Sequence, residues 1–146
     1  MKLLNQKQLA IVLVLLGAVP FVLLTAQLIG LAPFLPVFAA PAVMLHAYGV
    51  VVGSFIAGLQ WGIHFCKRTS DSVYLFSSFV ALLLWCSMLA AGAAMGLALV
   101  ALSFVLLWCE EYRLSAQRVT TAWFWKLRCA VTATVLLCLA LAMMFV

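Results

Sequence analysis

The chain has 146 residues, of which 69% are hydrophobic and 8% are charged, and its mean hydropathy is +1.31. A soluble domain carries about 25% charged residues, so eight basic and three acidic residues cannot cover a globular surface in water. The composition excludes a soluble enzyme, a disordered chain and a fibrous repeat, and it predicts a small integral membrane protein. The net charge of +5 does not indicate a nucleic-acid partner, because the chain has no polar domain to hold one.

Three tracts without charged residues set the number of membrane spans. They are residues 8–66, 72–109 and 129–146. A spanning helix needs about 20 apolar residues, so the tracts hold about two, two and one spans. Their continuous apolar runs disfavour a β-barrel, whose strands alternate. A single transmembrane domain is predicted over 1–146. Its spans lie at roughly 9–29, 42–65, 72–89, 94–109 and 129–146, and an inner-side interfacial segment lies at roughly 110–128.

The basic residues all fall on one side of such a five-span arrangement. They are Lys2, Lys7, Lys67, Arg68, Arg113, Arg118, Lys126 and Arg128. The first and third connections and the carboxyl terminus carry no basic residue. The positive-inside rule therefore predicts an all-α, five-span helix bundle with the amino terminus in and the carboxyl terminus out.

The first span contains Pro20, which has no N–H to donate to the carbonyl of Leu16 and predicts a kink. A static bend is favoured over a hinge for transport. A signal peptide cleaved after Ala39 is disfavoured, because the apolar stretch before it exceeds the usual h-region of about 7–15 residues.

The second span carries small residues in its middle and polar residues at its ends. At about 100° per residue, one stripe contains His46, Gly49, Gly53, Ala57, Gln60 and His64. Glycines four residues apart let two helices approach closely in lipid, and Gly49/Gly53 and Gly58/Gly62 both have that spacing. Helix packing is therefore the favoured role of Gly49, Gly53, Ala57, Gly58 and Gly62.

A buried polar site is the alternative interpretation of the same span. Its candidate residues are His46, Gln60, Trp61 and His64, which could hold a headgroup, a quinone or a proton. The two histidines are about 27 Å apart along the helix axis, so one metal ion cannot be shared between them. No metal site, no cofactor and no catalytic residue is predicted. The absence of a carboxylate from the predicted spans also disfavours a proton pump or a cation transporter.

The polar segment before the last span combines tryptophans with cations. Trp123, Trp125, Lys126 and Arg128 are typical of an interfacial anchor in the headgroup layer. Docking of a partner is the alternative, because this segment is the largest polar surface predicted on the inner side.

Three motifs resemble a known family. They are Gly17-x-x-Pro20-Phe21 in span 1, Tyr48-Gly49 with Ser54-Phe55-x-x-Gly58-x-x-Trp61-Gly62 in span 2, and Trp123-x-Trp125-x-x-Arg128 before span 5. Together they resemble the family of domain of unknown function 3429, the transmembrane protein 69-like small membrane proteins. The resemblance implies a five-span protein of bacterial inner membranes or mitochondria, without an established activity.

Among the motif positions, Gly58, Trp61 and Gly62 are the first to test. A bacterial-type inner membrane is favoured over the mitochondrial one, because the amino terminus lacks arginine.

The functional prediction is a non-enzymatic accessory, assembly or scaffold component. It would pack in the lipid bilayer against a membrane partner or a second copy of itself. Two alternatives stay open. One is a carrier or channel for a small neutral or lipophilic molecule, and the other is a quinone- or lipid-handling membrane enzyme that uses Gln60, Trp61 and His64.

Overall fold

A computed structural model describes residues 5–31, 40–67, 72–116 and 120–146. In these ranges the chain forms helices and no strand, which confirms the predicted all-α fold. The helices are α1 (Gln6–Leu28), α2 (Pro41–Lys67), α3 (Ser72–Ser87), α4 (Ala93–Ala116) and α5 (Ala122–Met144). Some features of the predicted connections and charge pattern lie outside the described residues, namely Lys2, Pro33, Pro36, Ala39, Arg68, Asp71 and Arg118.

Four of the described helices, α1, α2, α4 and α5, are long and apolar enough to cross a membrane. Helix α3 is also apolar but has 16 residues. At 1.5 Å per residue it rises about 24 Å, against a hydrocarbon core of about 30 Å. The length and composition of the four long helices make the chain a multi-pass membrane protein.

The helices form a bundle in which each one packs against the next in the chain, and α5 returns to contact α1. Helices α2 and α4 also contact each other and therefore form the central pair. The buried core draws on every helix and includes Phe21, Leu84, Val100, Phe104 and Leu139.

Side-chain contacts show which helix ends lie together. At one end, the Lys7 ammonium lies 5.3 Å from the centre of the Trp123 ring, which joins the start of α1 to the start of α5. Trp61 near the end of α2 meets Tyr74 near the start of α3, with ring centroids 4.7 Å apart. We call this the basic end, because the described basic side chains of α1, α4 and α5 lie here: Lys7, Arg113, Lys126 and Arg128.

Contacts at the opposite end of the bundle show that α5 runs parallel to α1, whereas α3 runs antiparallel to α2. There the Thr25 hydroxyl donates to the carbonyl of Cys138, 3.4 Å away. His46 near the start of α2 lies 2.9 Å from the hydroxyl of Ser87 at the end of α3. Helix α3 therefore runs beside α2 over the stretch between His46 and Trp61.

The ends of the helices near the polar segment differ from the predicted span limits. Helix α4 continues beyond Cys109 to Ala116, and α5 already begins at Ala122. Ion pairs explain this extension, because Glu110 pairs with Arg113 at 3.0 Å and Glu111 pairs with Arg128 at 2.8 Å. Residues predicted as one interfacial segment are therefore divided between the ends of two helices.

Candidate functional site

Helix α1 packs unevenly along its length. Its buried residues are Ala18, Phe21, Leu24 and Thr25, all close to or beyond Pro20. The described residues of the chain up to Gly17 are partly or fully exposed. The second half of α1 therefore packs in the core, whereas its first half is less buried. The change lies close to the proline.

Tyr48 of α2 holds α1 beside this proline. Its hydroxyl donates a hydrogen bond of 2.9 Å to the carbonyl of Gly17. Pro20 lacks an N–H, so the carbonyl of Leu16 loses its regular helical partner, and the carbonyl of Gly17 is its neighbour in the same turn. In membranes, neighbouring helices help to satisfy the backbone around a proline, and Tyr48 of α2 supplies a donor in this turn. The Tyr48 ring also packs edge-on against Phe21, with centroids 5.0 Å apart.

A cavity of about 460 Å³ lies between the first half of α1 and helices α2, α4 and α5. Its inner wall includes the buried side chains of Phe21, Ile56 and Phe104. Leu13 of α1 and Phe55 and Leu59 of α2 line it at the exposed surface of the bundle. The cavity is thus apolar and opens sideways, on the surface that faces lipid. Its full described lining is Ala10, Leu13, Val14, Gly17, Phe21, Val52, Phe55, Ile56, Leu59, Phe104, Phe124, Arg128, Val131, Thr132 and Val135.

A second, much smaller pocket of about 20 Å³ adjoins the cavity at its basic end. The two share Leu59, Phe124 and Arg128 as lining residues. The small pocket is also lined by Gln60, Ile63, Glu111, Leu114, Thr120 and Trp125. We call it the polar pocket, because it brings polar groups of α2, α4 and the start of α5 together.

Gln60 and Thr120 both line the polar pocket, and each has a buried side-chain oxygen without a hydrogen-bond partner among the described residues. Gln60 is 1% exposed, and its amide nitrogen donates to the carbonyl of Leu107 at 3.4 Å. Its side-chain oxygen is buried and has no hydrogen-bond partner among the described residues. The hydroxyl oxygen of Thr120 is also buried, and it has no hydrogen-bond partner within the described ranges. Buried polar atoms are almost always paired in native proteins, so these two atoms mark a place for a polar group.

Arg128 and Glu111 close the polar pocket with a bidentate ion pair. The guanidinium Nε lies 3.0 Å and 3.2 Å from the two carboxylate oxygens, and a terminal nitrogen lies 2.8 Å from the first. The two side chains are 11% and 12% exposed. The pair joins α4 to α5 and contributes no net charge to the pocket.

The other predicted polar residues of α2 lie elsewhere. His46 is half-buried at the opposite end, where its ring fills the space above Gly96: a Cβ on that glycine would lie 2.7 Å from the ring. His64 is buried against Tyr74, with ring centroids 4.0 Å apart, and Trp61 is exposed beside the same tyrosine. Of the four candidate site residues, Gln60 is the one that lines the polar pocket.

The small residues of α2 divide between two surfaces. A Cβ added to Gly49 would lie 2.7 Å from Val100, and one added to Gly53 would lie 2.8 Å from Leu84, so these glycines let α2 approach α4 and α3 closely. Ala57 is buried. Gly58 and Gly62 are exposed, with open space where a Cβ would lie.

Gly58 belongs to an open groove on the outer surface of the bundle. The groove has a volume of about 520 Å³ and lies between α2 and α3. It is lined by Ser54, Ala57, Gly58, Trp61, Ser77, Ser78, Ala81 and Leu82.

The predicted anchor residues lie in the first turns of α5. The Trp125 ring stacks on Trp108 at a centroid distance of 6.2 Å, and Trp123 contacts Lys7. Lys126 is exposed, whereas Arg128 turns inward to Glu111. The anchor residues therefore differ in surroundings, and Arg128 belongs to the cavity.

The sequence did not indicate the cavity itself. Its apolar lining cannot be distinguished from ordinary core residues, because a cavity depends on how helices diverge. The ion pair did leave a signal, since Glu111 and Arg128 are charges of opposite sign on the two sides of a short helix connection. That signal could have placed both residues together inside the bundle.

Comparison with known proteins identifies the family but no activity. A family model described as "Protein of unknown function (DUF3429)" matches residues 6–144, so the chain belongs to that family. No curated protein and no solved structure matches the chain.

Proposed function

We propose that this member of the DUF3429 family binds a lipophilic molecule taken from the bilayer. The observation that carries the proposal is the apolar cavity of about 460 Å³ between α1, α2, α4 and α5. Sites for small molecules have volumes of about 300–1,000 Å³, an apolar lining and a few convergent polar groups. The cavity has the volume and the apolar lining, and the adjoining polar pocket adds Gln60 and Thr120 as polar groups.

Access from the bilayer supports a lipophilic ligand over a water-soluble one. Leu13, Phe55 and Leu59 are exposed and line the cavity at the lipid-facing surface. An apolar molecule dissolved in the hydrocarbon core can enter between α1 and α2 without crossing water. We therefore favour binding, carriage or processing of a membrane-resident molecule.

The proposal includes five spans, with the amino terminus in and the carboxyl terminus out. Two contacts support a crossing by the short helix α3, because it meets α2 both at Trp61–Tyr74 and at His46–Ser87. A short span is accommodated by local thinning of the bilayer. The gathering of Lys7, Arg113, Lys126 and Arg128 at one end supports the orientation by the positive-inside rule. A bacterial-type inner membrane remains the proposed location.

The substitution Gly17→Leu tests the cavity. Gly17 lines it, and a Cβ there would meet no atom of the described residues within 4 Å, so the leucine side chain can extend into the cavity. The purified protein in nanodiscs is incubated with tritiated n-dodecane, and bound radioactivity is measured by scintillation proximity. We expect saturable binding to the wild type and at least about tenfold weaker binding to Gly17→Leu, equivalent to about 1.4 kcal/mol.

Gly62→Leu is the matched control, because Gly62 also has open space and lies outside the cavity lining. Leucine favours a helix more than glycine at both sites, so neither change should prevent folding. Equal binding by Gly17→Leu and the wild type, or equal loss in both variants, would contradict the proposal.

A second candidate function is lateral packing as an accessory, assembly or scaffold component. The groove between α2 and α3 favours it, because small residues at an exposed face let another helix approach closely in lipid. Gly58→Leu fills this groove, and Gly17→Leu serves as its control. Sedimentation equilibrium in density-matched detergent should show weaker self-association for Gly58→Leu alone. Unchanged association in Gly58→Leu would exclude packing of a second copy at this groove.

A further inference from the structure

We propose that the polar pocket selects a neutral amphiphile whose head is a hydroxyl group, the tail lying in the apolar cavity. This inference rests on the proposed function and specifies the chemistry of its ligand. Leu59, Phe124 and Arg128 line both spaces, so a molecule can occupy the cavity and reach the pocket at once.

The size of the polar pocket limits the head group. Its volume is about 20 Å³, and a single water molecule needs about 10–15 Å³ measured in this way. One oxygen atom with its hydrogen fits. A phosphate or a sugar does not.

The hydrogen-bonding groups of the pocket specify a donor. The Gln60 amide nitrogen faces the carbonyl of Leu107, which can only accept, and this fixes the orientation of the amide. Because Gln60 lines the pocket and its nitrogen is directed to Leu107, its buried oxygen is the acceptor that it can offer a ligand, and this oxygen has no partner among the described residues. A hydroxyl group can donate to Gln60 and at the same time accept from the Thr120 hydroxyl. A carbonyl group or an ether can satisfy Thr120 but not Gln60.

The charge of the pocket favours a neutral ligand. Arg128 is the cation in the lining, and its bidentate bond to Glu111 already compensates it. A carboxylate head would meet the Glu111 carboxylate as well as Arg128, and it would lose its hydration on entry. An alcohol loses much less hydration free energy than a carboxylate, and hydrogen bonds in the pocket can compensate it.

The test compares three competitors of equal chain length against tritiated n-dodecane on the wild type in nanodiscs. They are 1-dodecanol, unlabelled n-dodecane and dodecanoate. We expect 1-dodecanol to compete about tenfold more strongly than n-dodecane, because one hydrogen bond contributes about 1.4 kcal/mol. Dodecanoate should compete less strongly than the alcohol. Gln60→Leu keeps the side chain near its original size and removes the acceptor, so the advantage of the alcohol over the alkane should disappear.

Two variants and the wild-type binding measurement distinguish a failure of the hydroxyl inference from a failure of the proposed function. Gln60→Leu should still bind n-dodecane and show an unchanged elution volume, because leucine keeps the apolar packing and the substitution removes one unsatisfied oxygen together with one long hydrogen bond to Leu107. Glu111→Gln should shift preference toward dodecanoate, because it leaves Arg128 without its counter-charge. Equal competition by the alcohol and the alkane would overturn the hydroxyl inference while leaving the cavity proposal intact. Absence of n-dodecane binding to the wild type would instead contradict the proposed function.

Discussion

The surroundings of the Arg128 side chain differ from those that the sequence predicts. Its position among tryptophans before the last span predicted a headgroup anchor, yet its side chain is 11% exposed and binds Glu111. A charge in this environment needs its partner, because the energetic cost of desolvation is recovered only by close, bidentate contact. The pair therefore supports the α4–α5 contact and also keeps the adjacent cavity neutral.

Breaking this pair from either side should destabilise the protein. We expect Arg128→Gln and Glu111→Gln each to lower the free energy of unfolding by about 3–5 kcal/mol, because each leaves a buried charge unpaired. The double substitution should cost less than the sum of the two. Reversible unfolding in mixed detergent micelles, followed by tryptophan fluorescence, measures this cycle. Lys126→Gln, at an exposed position on the same helix, should change stability by less than about 0.5 kcal/mol. Additive effects of the two substitutions would contradict the coupling.

At the scale of single elements, α2 shows that one sequence spacing can serve two surfaces. Gly49/Gly53 and Gly58/Gly62 have the same separation. The first pair lies against α4 and α3, whereas the second faces outward. Glycine spacing along a helix therefore predicts a face that allows close approach. Which partner lies against that face depends on the neighbours of the helix.

The two pairs should respond oppositely to alanine. In Gly49→Ala the new Cβ would lie 2.7 Å from Cγ1 of the fully buried Val100. A β-branched side chain has little rotameric freedom, so we expect a loss of about 1–3 kcal/mol of unfolding free energy. Gly62→Ala meets no atom and should be neutral or stabilising by up to about 1 kcal/mol, because alanine favours a helix. The same unfolding assay compares them, and equal stability of both variants would show that Gly49 is not a close-approach site.

Helix α1 relates the sequence motifs to the cavity, because its first half lines the cavity. Pro20 was predicted as a kink, and the packing of α1 changes close to this residue. Tyr48 then fixes the preceding turn through Gly17, which itself lines the cavity. The proline motif and the Tyr48-Gly49 motif, which are separated in sequence, therefore meet at one place in the bundle.

Over the whole molecule, the patterns with the longest range were the most informative. Charge-free tracts and continuous hydrophobicity predicted an all-helical membrane protein, and the structure has that fold. Gln60 was singled out because a polar residue inside an apolar helix is unusual. Thr120 and Glu111 could not be joined to it, since they come from another helix and a helix connection, and only tertiary packing brings them near. The uneven packing of α1, whose first half lines the cavity, also depends on tertiary contacts.

The number of membrane crossings of the whole molecule depends on whether α3 spans the bilayer. Cys66 lies at the end of α2 and is exposed, and Gly92 lies in the connection between α3 and α4 and is also exposed. If α3 crosses the membrane, these two positions lie on opposite sides. Two variants, each with one cysteine, test this in intact bacterial cells: one retains Cys66, and the other carries Gly92→Cys in a background without the native cysteines.

We expect a membrane-impermeant maleimide to label Gly92→Cys in intact cells and Cys66 only after permeabilisation. This pattern follows from an inner location of the basic end, where anionic lipids and the positive-inside rule hold the cationic residues. Labelling of both positions, or of neither, in intact cells would mean that α3 does not cross. Labelling of Cys66 alone would keep the crossing and reverse the orientation, which would place Arg128 and the polar pocket at the outer face.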